Sequence, residues 1–384
     1  MMAEQKCRQA GKVLFYLVLL IEIGIVLVDK SAYINPIEGR LFQITFVLCM
    51  IKIAMTKYSL KEWAVMAAFF MLGALSYFAT GRNEIIRIVA FVAAAKDIEL
   101  KMMMKVTFYV TLAGVLTLIL LSLTGMLGWV YMDANYRDTG IERRYCLGLG
   151  HPNALHCMVW ALITLGIYLY FEKLKWYHYL LLEALNIGFY LLTDSRTGVT
   201  AATCTILIGL FFSLFPKLRS AKWVYIMGAA GVLLCIAFSV LVAMFGCEIP
   251  ALEKLNGLLT GRIFWSNYYC AASDWTMFAS PQNDKYLDMG YIRMFYWYGI
   301  VPAAAYILLK LAQIRYAFKK KDAAALLVIT MFALYTVFEA HAVSVYLARN
   351  YSLMLLCGGT FSGMLCLKSE KEGYFWQPGK LLKR

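Results

Sequence analysis

Apolar residues run through this chain in long stretches broken by short polar intervals, with no alternation at strand period. A helix needs about 20 mostly apolar residues to cross a bilayer, within a range of roughly 17–25. By that measure spans fall near 13–29, 41–56, 63–80, 82–96, 105–125, 153–171, 177–193, 198–215, 223–246, 291–312, 323–341 and 350–367. The pattern predicts an all-α fold, a polytopic membrane bundle of about 12 transmembrane helices forming one domain over residues 1–367. Lys52 and Arg87 interrupt the second and fourth spans. The first run, Val13 to Val28, contains Glu22 and lacks a small-x-small cleavage site, so it reads as a retained span and not a cleaved signal. Residues 368–384 read as a basic cytoplasmic tail along the anionic inner leaflet.

Composition agrees with the pattern. The chain is 62% hydrophobic and 16% charged, against roughly 45–50% and about 25% for a soluble domain. A net charge of +14 would suggest nucleic acid in a soluble protein, but here the lysines explain it without a nucleic-acid partner. With the N-terminus inside, 20 lysines fall on cytoplasmic segments, Lys52, Lys96 and Lys310 among them, and only Lys30, Lys254 and Lys285 fall outside. That asymmetry sets both termini on the cytoplasmic side. Arginine runs the other way: Arg40, Arg82, Arg87, Arg137, Arg143, Arg144, Arg196, Arg262, Arg293 and Arg349 lie outside or near the outer boundary. A guanidinium holds phosphate bidentately where an ammonium acts as a point charge. The set therefore points to an anionic, phosphorylated ligand on the outer face, with loop residues and headgroup contacts as the plainer explanation of any single one. The ten cysteines are scattered, without CxxC pairs or metal-ligand spacing, and Cys247 with Cys270 is the one pair open to a disulfide.

Two outer connections are long, 125–151 and 246–290. The second carries Trp265, Tyr268, Tyr269, Trp275, Phe278 and Tyr286, which suit either a small folded cap or stacking on sugar rings. Five polar clusters sit at the predicted outer ends of spans. In "RRYCLGLGHPN", Arg143 and Arg144 precede His151 and Asn153, and Pro152 fits a first helical turn. This stretch is either a Gly-punctuated helix start or part of a site. In "LLTDSRTGVT", Asp194, Ser195 and Gly198 are ordinary turn residues, whereas Arg196 at a helix N-terminus suits an anion. "GLLTGRIFW" contributes Arg262, and "YLDMGYIRMFYWYGIV" contributes Asp288, Tyr291 and Arg293. "VFEAHAVSVYLARN" holds Glu339, His341, Arg349 and Asn350. Glu339 is either a general base activated by burial or the partner of one of the arginines. No GxxxxGK[ST] or GxGxxG motif occurs, which argues against a nucleotide donor.

Taken in order, "GLGHPN" before a span, "SRTG" in a tight turn, "TGR" in a long loop, D-x-G-Y opening the next span and a Glu followed by "RN" resemble Wzy-type polysaccharide polymerases. The likeness is to Gram-positive capsular and exopolysaccharide members of the O-antigen polymerase/ligase superfamily. It runs from about residue 80 to 367 and includes the loop "AAKDIELKMMMK". One departure is Met289, where relatives often carry Asn. The resemblance implies a GT-C-like glycosyltransferase of the bacterial cytoplasmic membrane, free of metal and other cofactors. It would polymerise oligosaccharide units carried on undecaprenyl pyrophosphate at the outer face, alongside flippase and chain-length regulator proteins. On that reading Arg196 and Arg262, then Arg143, Arg144 and Arg349, hold the pyrophosphate, because arginines stabilise developing negative charge in a preorganised site. Glu339, His151 and His341 are the candidate catalytic bases. Asn153, Asp288, Tyr291 and the loop aromatics meet the sugars.

Two other readings compete. A ligase of the same superfamily, moving finished glycan to another acceptor, shares the donor chemistry. A flippase or transporter would place polar residues at mid-membrane around a through-going cavity, often with an internal repeat.

Overall fold

A backbone in hydrocarbon can satisfy its N–H and C=O groups only within itself, so apolar stretches with few helix breakers become helices. The computed structural model describes residues 2–134 and 141–365. Arg137, Cys366 and the basic segment 368–384 lie outside the described residues. In chain order the elements are α1 (Met2–Lys30), α2 (Glu38–Ala54), α3 (Leu60–Thr80), α4 (Glu84–Ala94) and α5 (Leu100–Leu123), then a hairpin of β1 (Tyr131–Ala134) and β2 (Glu142–Tyr145). There follow α6 (Pro152–Tyr170), α7 (Trp176–Thr193), α8 (Arg196–Leu214), α9 (Lys222–Phe245), α10 (Pro250–Leu258) and α11 (Arg262–Ala271). The chain continues through α12 (Gly290–Tyr298), α13 (Ile300–Lys320), α14 (Ala323–Phe338), α15 (Tyr351–Met354) and α16 (Thr360–Leu365).

The protein is an all-α membrane protein, with seven helices among the described residues long and apolar enough to cross a bilayer. The predicted 41–56, 177–193 and 323–341 form the single helices α2, α7 and α14, which fall outside those seven, and three other predicted spans are shorter or broken. Residues 82–96 yield only the 11-residue α4. Gly299, at φ +85°, separates α12 from α13 within the predicted 291–312. The predicted 350–367 becomes two short helices around Gly358 and Gly359, both at positive φ. A Cβ at Gly358 would lie 2.7 Å from that of Leu100, so the break is also a close approach. Helix starts follow sequence chemistry: Ser59 and Glu62 form a capping box on α3, and Pro152 and Pro250 open α6 and α10.

Helix α14 is the central post, packed against α6, α8, α9, α12, α13 and α15 and buried along most of its length. Trp160 of α6 meets Phe332 and Tyr335 of α14 at ring distances of 4.8 and 4.3 Å. Ion pairs bind the first four helices. Arg87 reaches both oxygens of Glu22 at 2.9 and 3.1 Å, Lys52 meets Asp97 at 2.5 Å, and Lys96 meets Glu62 at 2.6 Å. The interruptions at Lys52 and Arg87 are therefore paired charges inside the bundle, not flanking anchors. Lys310, expected at a cytoplasmic boundary, is buried in α13, where it donates to Gln313 and to Ser352. Cys247 and Cys270 are free thiols, so the candidate disulfide is not formed.

Candidate functional site

The β1–β2 register sets Asp133 opposite Arg143 and Met132 opposite Arg144, and successive side chains point to opposite faces. Arg143 stays on the exposed face, paired with Asp133 at 3.0 Å and lying over the Tyr131 ring. Arg144 turns inward. Its Nε donates to the Thr193 carbonyl at 2.8 Å, and its Nη2 donates to the Asp194 carbonyl at 3.1 Å and to Asn153 Oδ1 at 3.0 Å. It thus caps the C-terminus of α7, where carbonyls lack helical partners and a cation is favoured. Asn153, expected to meet sugar, is the acceptor that ties this arginine to the start of α6.

His151 is the N-cap of α6, and its Nδ1 accepts from the Asn153 backbone N–H at 3.1 Å. The neutral ring therefore carries its proton on Nε2 and presents a donor. Burial, with the charges of Arg144 and Arg262 adding to it, holds the imidazole below its usual range. At pH 7 His151 is a neutral hydrogen-bond donor, and its basic nitrogen is already occupied.

A second cluster forms around Arg262, the first residue of α11, behind Gly261 at φ +83°. Its Nη1 donates to the Phe338 carbonyl at 2.8 Å and its Nη2 to Glu339 Oε1 at 2.9 Å, while Nε lies 3.5 Å from Asp288 Oδ2. Burial works against this charge, but Glu339 and Asp288 outweigh it and raise the guanidinium above its ordinary range. Glu339 is thus the partner of an arginine, the plainer of its two expected roles. Gly290 makes the approach possible: a Cβ there would sit 2.8 Å from the Glu339 carbonyl and 2.9 Å from Thr336. Beside Arg262 opens a cavity of about 260 Å³ lined by Trp265, Ser266, Tyr269, Tyr286 and Asp288. Trp265 and Tyr269 stack at 6.0 Å along one wall. Asp288 is 51% exposed there, against 22% for Glu339.

The remaining expected residues lie apart. Tyr291 is 1% exposed, because α12 is covered on most of its faces, and it cannot reach a surface ligand. Met289 is fully buried, which suits an apolar side chain at that position. His341 is also buried, stacked on Tyr335 with Nε2 3.4 Å from Cys157 Sγ. Its Nδ1 and the Nε of Arg349 have no hydrogen-bond partner among the described residues. Arg196 opens α8 with an exposed side chain and no ion pair among the described residues. Several outward arginines are structural: Arg87 pairs with Glu22, Arg82 donates to the Asn283 carbonyl, and Arg293 donates to the Leu287 carbonyl beneath Tyr286. Burial removes Arg87 and Arg293 from any collective claim on an anion, and the half-buried Arg82 is committed to the Asn283 carbonyl. Sequence reasoning passed over Ser266, a commonplace loop residue, and His156, hidden in an apolar run. Among the described residues no three His, Cys, Asp or Glu side chains converge as a metal cage.

In comparisons with known proteins, no family model, curated protein or solved structure matched the chain.

Proposed function

We propose that the protein is a membrane glycosyltransferase of the GT-C-like class that extends glycan chains from undecaprenyl-pyrophosphate-linked oligosaccharides at the outer face of the bacterial cytoplasmic membrane. The observation that carries this reading is the cavity beside Arg262, where aromatic walls meet a guanidinium and a half-exposed carboxylate. Flat aromatic faces suit the apolar faces of sugar rings, while arginine and carboxylate suit phosphate and hydroxyl. The ordered motifs of the Wzy-type polymerases support the same reading. So does an apolar crevice between α3, α4 and α13, lined by Met66, Ile88, Val92, Pro302 and Leu309, which suits a polyprenyl tail.

On this reading the roles are divided between the cavity and Arg196, which lies apart from it. Arg196, exposed and without an ion pair among the described residues, is the first candidate for the pyrophosphate leaving group. Arg262 anchors the two carboxylates and lends its charge to the cavity. Asp288 is the better acceptor base, since Glu339 accepts from Arg262 at 2.9 Å and is 22% exposed, whereas Asp288 lies 3.5 Å from the guanidinium and is 51% exposed to the cavity.

The test is deletion of the gene followed by analysis of the surface glycan, with the Asp288→Asn chain supplied back. Loss of long chains with accumulation of single lipid-linked units supports polymerisation, and Asp288→Asn should reproduce it. Full-length polymer left unattached would indicate a ligase. Units trapped inside, or an unchanged glycan, would refute the proposal.

A further inference from the structure

Beneath the Arg144 cap, a chain of hydrogen bonds crosses α6, α7 and α8. Asn186 Nδ2 donates to Glu183 Oε2 at 3.2 Å, to Thr203 Oγ1 at 2.9 Å and to the Val199 carbonyl at 3.3 Å. Thr203 Oγ1 donates to Glu183 Oε1 at 2.7 Å. With its amide nitrogen among three acceptors, Asn186 must turn Oδ1 toward His156, whose Nε2 lies 2.9 Å away. An amide oxygen only accepts, so Nε2 carries a hydrogen. On the other side of the ring, Nδ1 lies 2.9 Å from Thr193 Oγ1. The Thr193 hydroxyl already donates to the Phe189 carbonyl at 2.8 Å, one turn back. With the hydroxyl directed to Phe189 its oxygen can only accept and Nδ1 carries a hydrogen, whereas a hydroxyl turned to the ring donates to a bare Nδ1.

In the first arrangement both ring nitrogens are donors, while both oxygens of Glu183 accept, from Asn186 and Thr203, so the same frame fits the ring with and without its second proton. We propose that His156 is a proton-binding site within the helix bundle, held as an imidazolium by Glu183 acting through the Asn186 amide. Each charge alone is costly inside a membrane protein, and each supplies what the other lacks. The ring also lies against Thr193, the last residue of α7, where the helix dipole favours a cation. Gly198 allows this approach, since a Cβ there would stand 2.7 Å from the imidazole.

Among the described residues the ring is bonded to Thr193 and Asn186, and Glu183 is the charged group joined to it through that amide. Arg144 on β2 is bonded to the Thr193 and Asp194 carbonyls, and α5 directs Tyr109 to Tyr170 at the far end of α6. Among the described residues no bond joins the ring to Tyr190 of α7, Arg196 or Cys204 of α8, or Tyr335 of α14, and Glu183 has no Lys or Arg partner. Release of the proton converts Nδ1 into an acceptor. The Thr193 hydroxyl then turns from Phe189 to the ring, and Glu183 is left uncompensated. Thr193 Oγ1 also accepts the Ser195 N–H at 3.4 Å, so the state of His156 is transmitted to the turn that presents Arg196.

The chain has only 4 histidines, which makes the test direct. Full-length protein with isotopically labelled histidine is placed in lipid bilayers, and the ring nitrogens are followed by solid-state NMR from about pH 8 to about pH 5. His156→Gln identifies the resonance. The expected result is an Nε2–H tautomer at high pH that gains a hydrogen on Nδ1 as pH falls. Glu183→Gln should move that midpoint down by about one pH unit or more, a tenfold loss of proton affinity. Thr203→Val, which removes one donor to the carboxylate, should move it the same way and carries the test if Glu183→Gln does not fold. A neutral ring with its hydrogen on Nδ1, no charging down to about pH 5, or a midpoint unmoved in the folded variants would overturn the proposal.

Discussion

The clearest quantitative consequence concerns the pair that ties α1 to α4. Glu22 is 0% exposed, and both its oxygens accept from Arg87 Nη2 at 2.9 and 3.1 Å. The other arm, Nη1, donates to the Val345 carbonyl at 2.7 Å, and the guanidinium rests 3.7 Å over the Phe42 ring. Thr45 Oγ1 supplies one further bond to Glu22 at 2.6 Å. Replacing Arg87 by Met leaves a buried carboxylate with a single hydroxyl donor, and removing one partner of a buried pair costs about 3–5 kcal/mol. Glu22→Leu leaves the guanidinium uncompensated at a similar cost. The double variant Glu22→Leu/Arg87→Met orphans only the Val345 carbonyl, about 1–3 kcal/mol. The singles should therefore each lose about 4 kcal/mol and the double only about 2, a coupling of at least about 3 kcal/mol. Reversible unfolding of the purified protein in mixed micelles with increasing SDS, followed by tryptophan fluorescence, measures all three. The reasoning fails if Arg87→Met stays within about 1 kcal/mol of the parent, or if the double variant is as unstable as the singles summed. Because Val345 lies in the segment that carries His341 and Arg349, the same variants test whether the pair holds that segment in place.

Other outcomes follow from the site. Gly290→Ala should destabilise the fold by about 1–3 kcal/mol through overpacking against the Glu339 carbonyl, read in the same unfolding assay. The imidazole of His151 is held below its ordinary range, so its neutral form contributes stability that is complete above about pH 6.5 and lost as pH falls through the folded value. Acidification from about pH 7.5 to about pH 5 should therefore weaken the parent more than His151→Asn; equal loss in both would exclude this role. For the proposed glycosyl transfer, Arg196→Lys should reduce chain extension by the reconstituted protein about tenfold or more while leaving stability unchanged, since the side chain is exposed. Full activity in that variant would remove bidentate phosphate binding from the mechanism.

Long apolar runs, scarce charge and well-placed Pro and Gly were enough to determine the all-α membrane character, because hydrocarbon leaves the backbone no alternative to helix. The start of α6 at Pro152 and the tight turn before α8 were legible for the same local reason: caps and turns depend on neighbours in sequence. Partnership was not legible. Nothing near Arg262 in the chain indicates that it would meet Glu339, 77 residues away, or that Arg87 would find Glu22, 65 residues away. The outward arginines looked like one population in the sequence, and the tertiary structure divided them into structural clamps such as Arg144 and exposed groups such as Arg196. Breaks inside apolar runs, at Gly299 and Gly358, were decided by close approach between distant segments, which hydropathy does not record. His156 is the sharpest case: a lone histidine in an apolar helix becomes a candidate proton site only once Asn186, Thr193 and Glu183 are brought around it, because a ring nitrogen's role depends on what faces it.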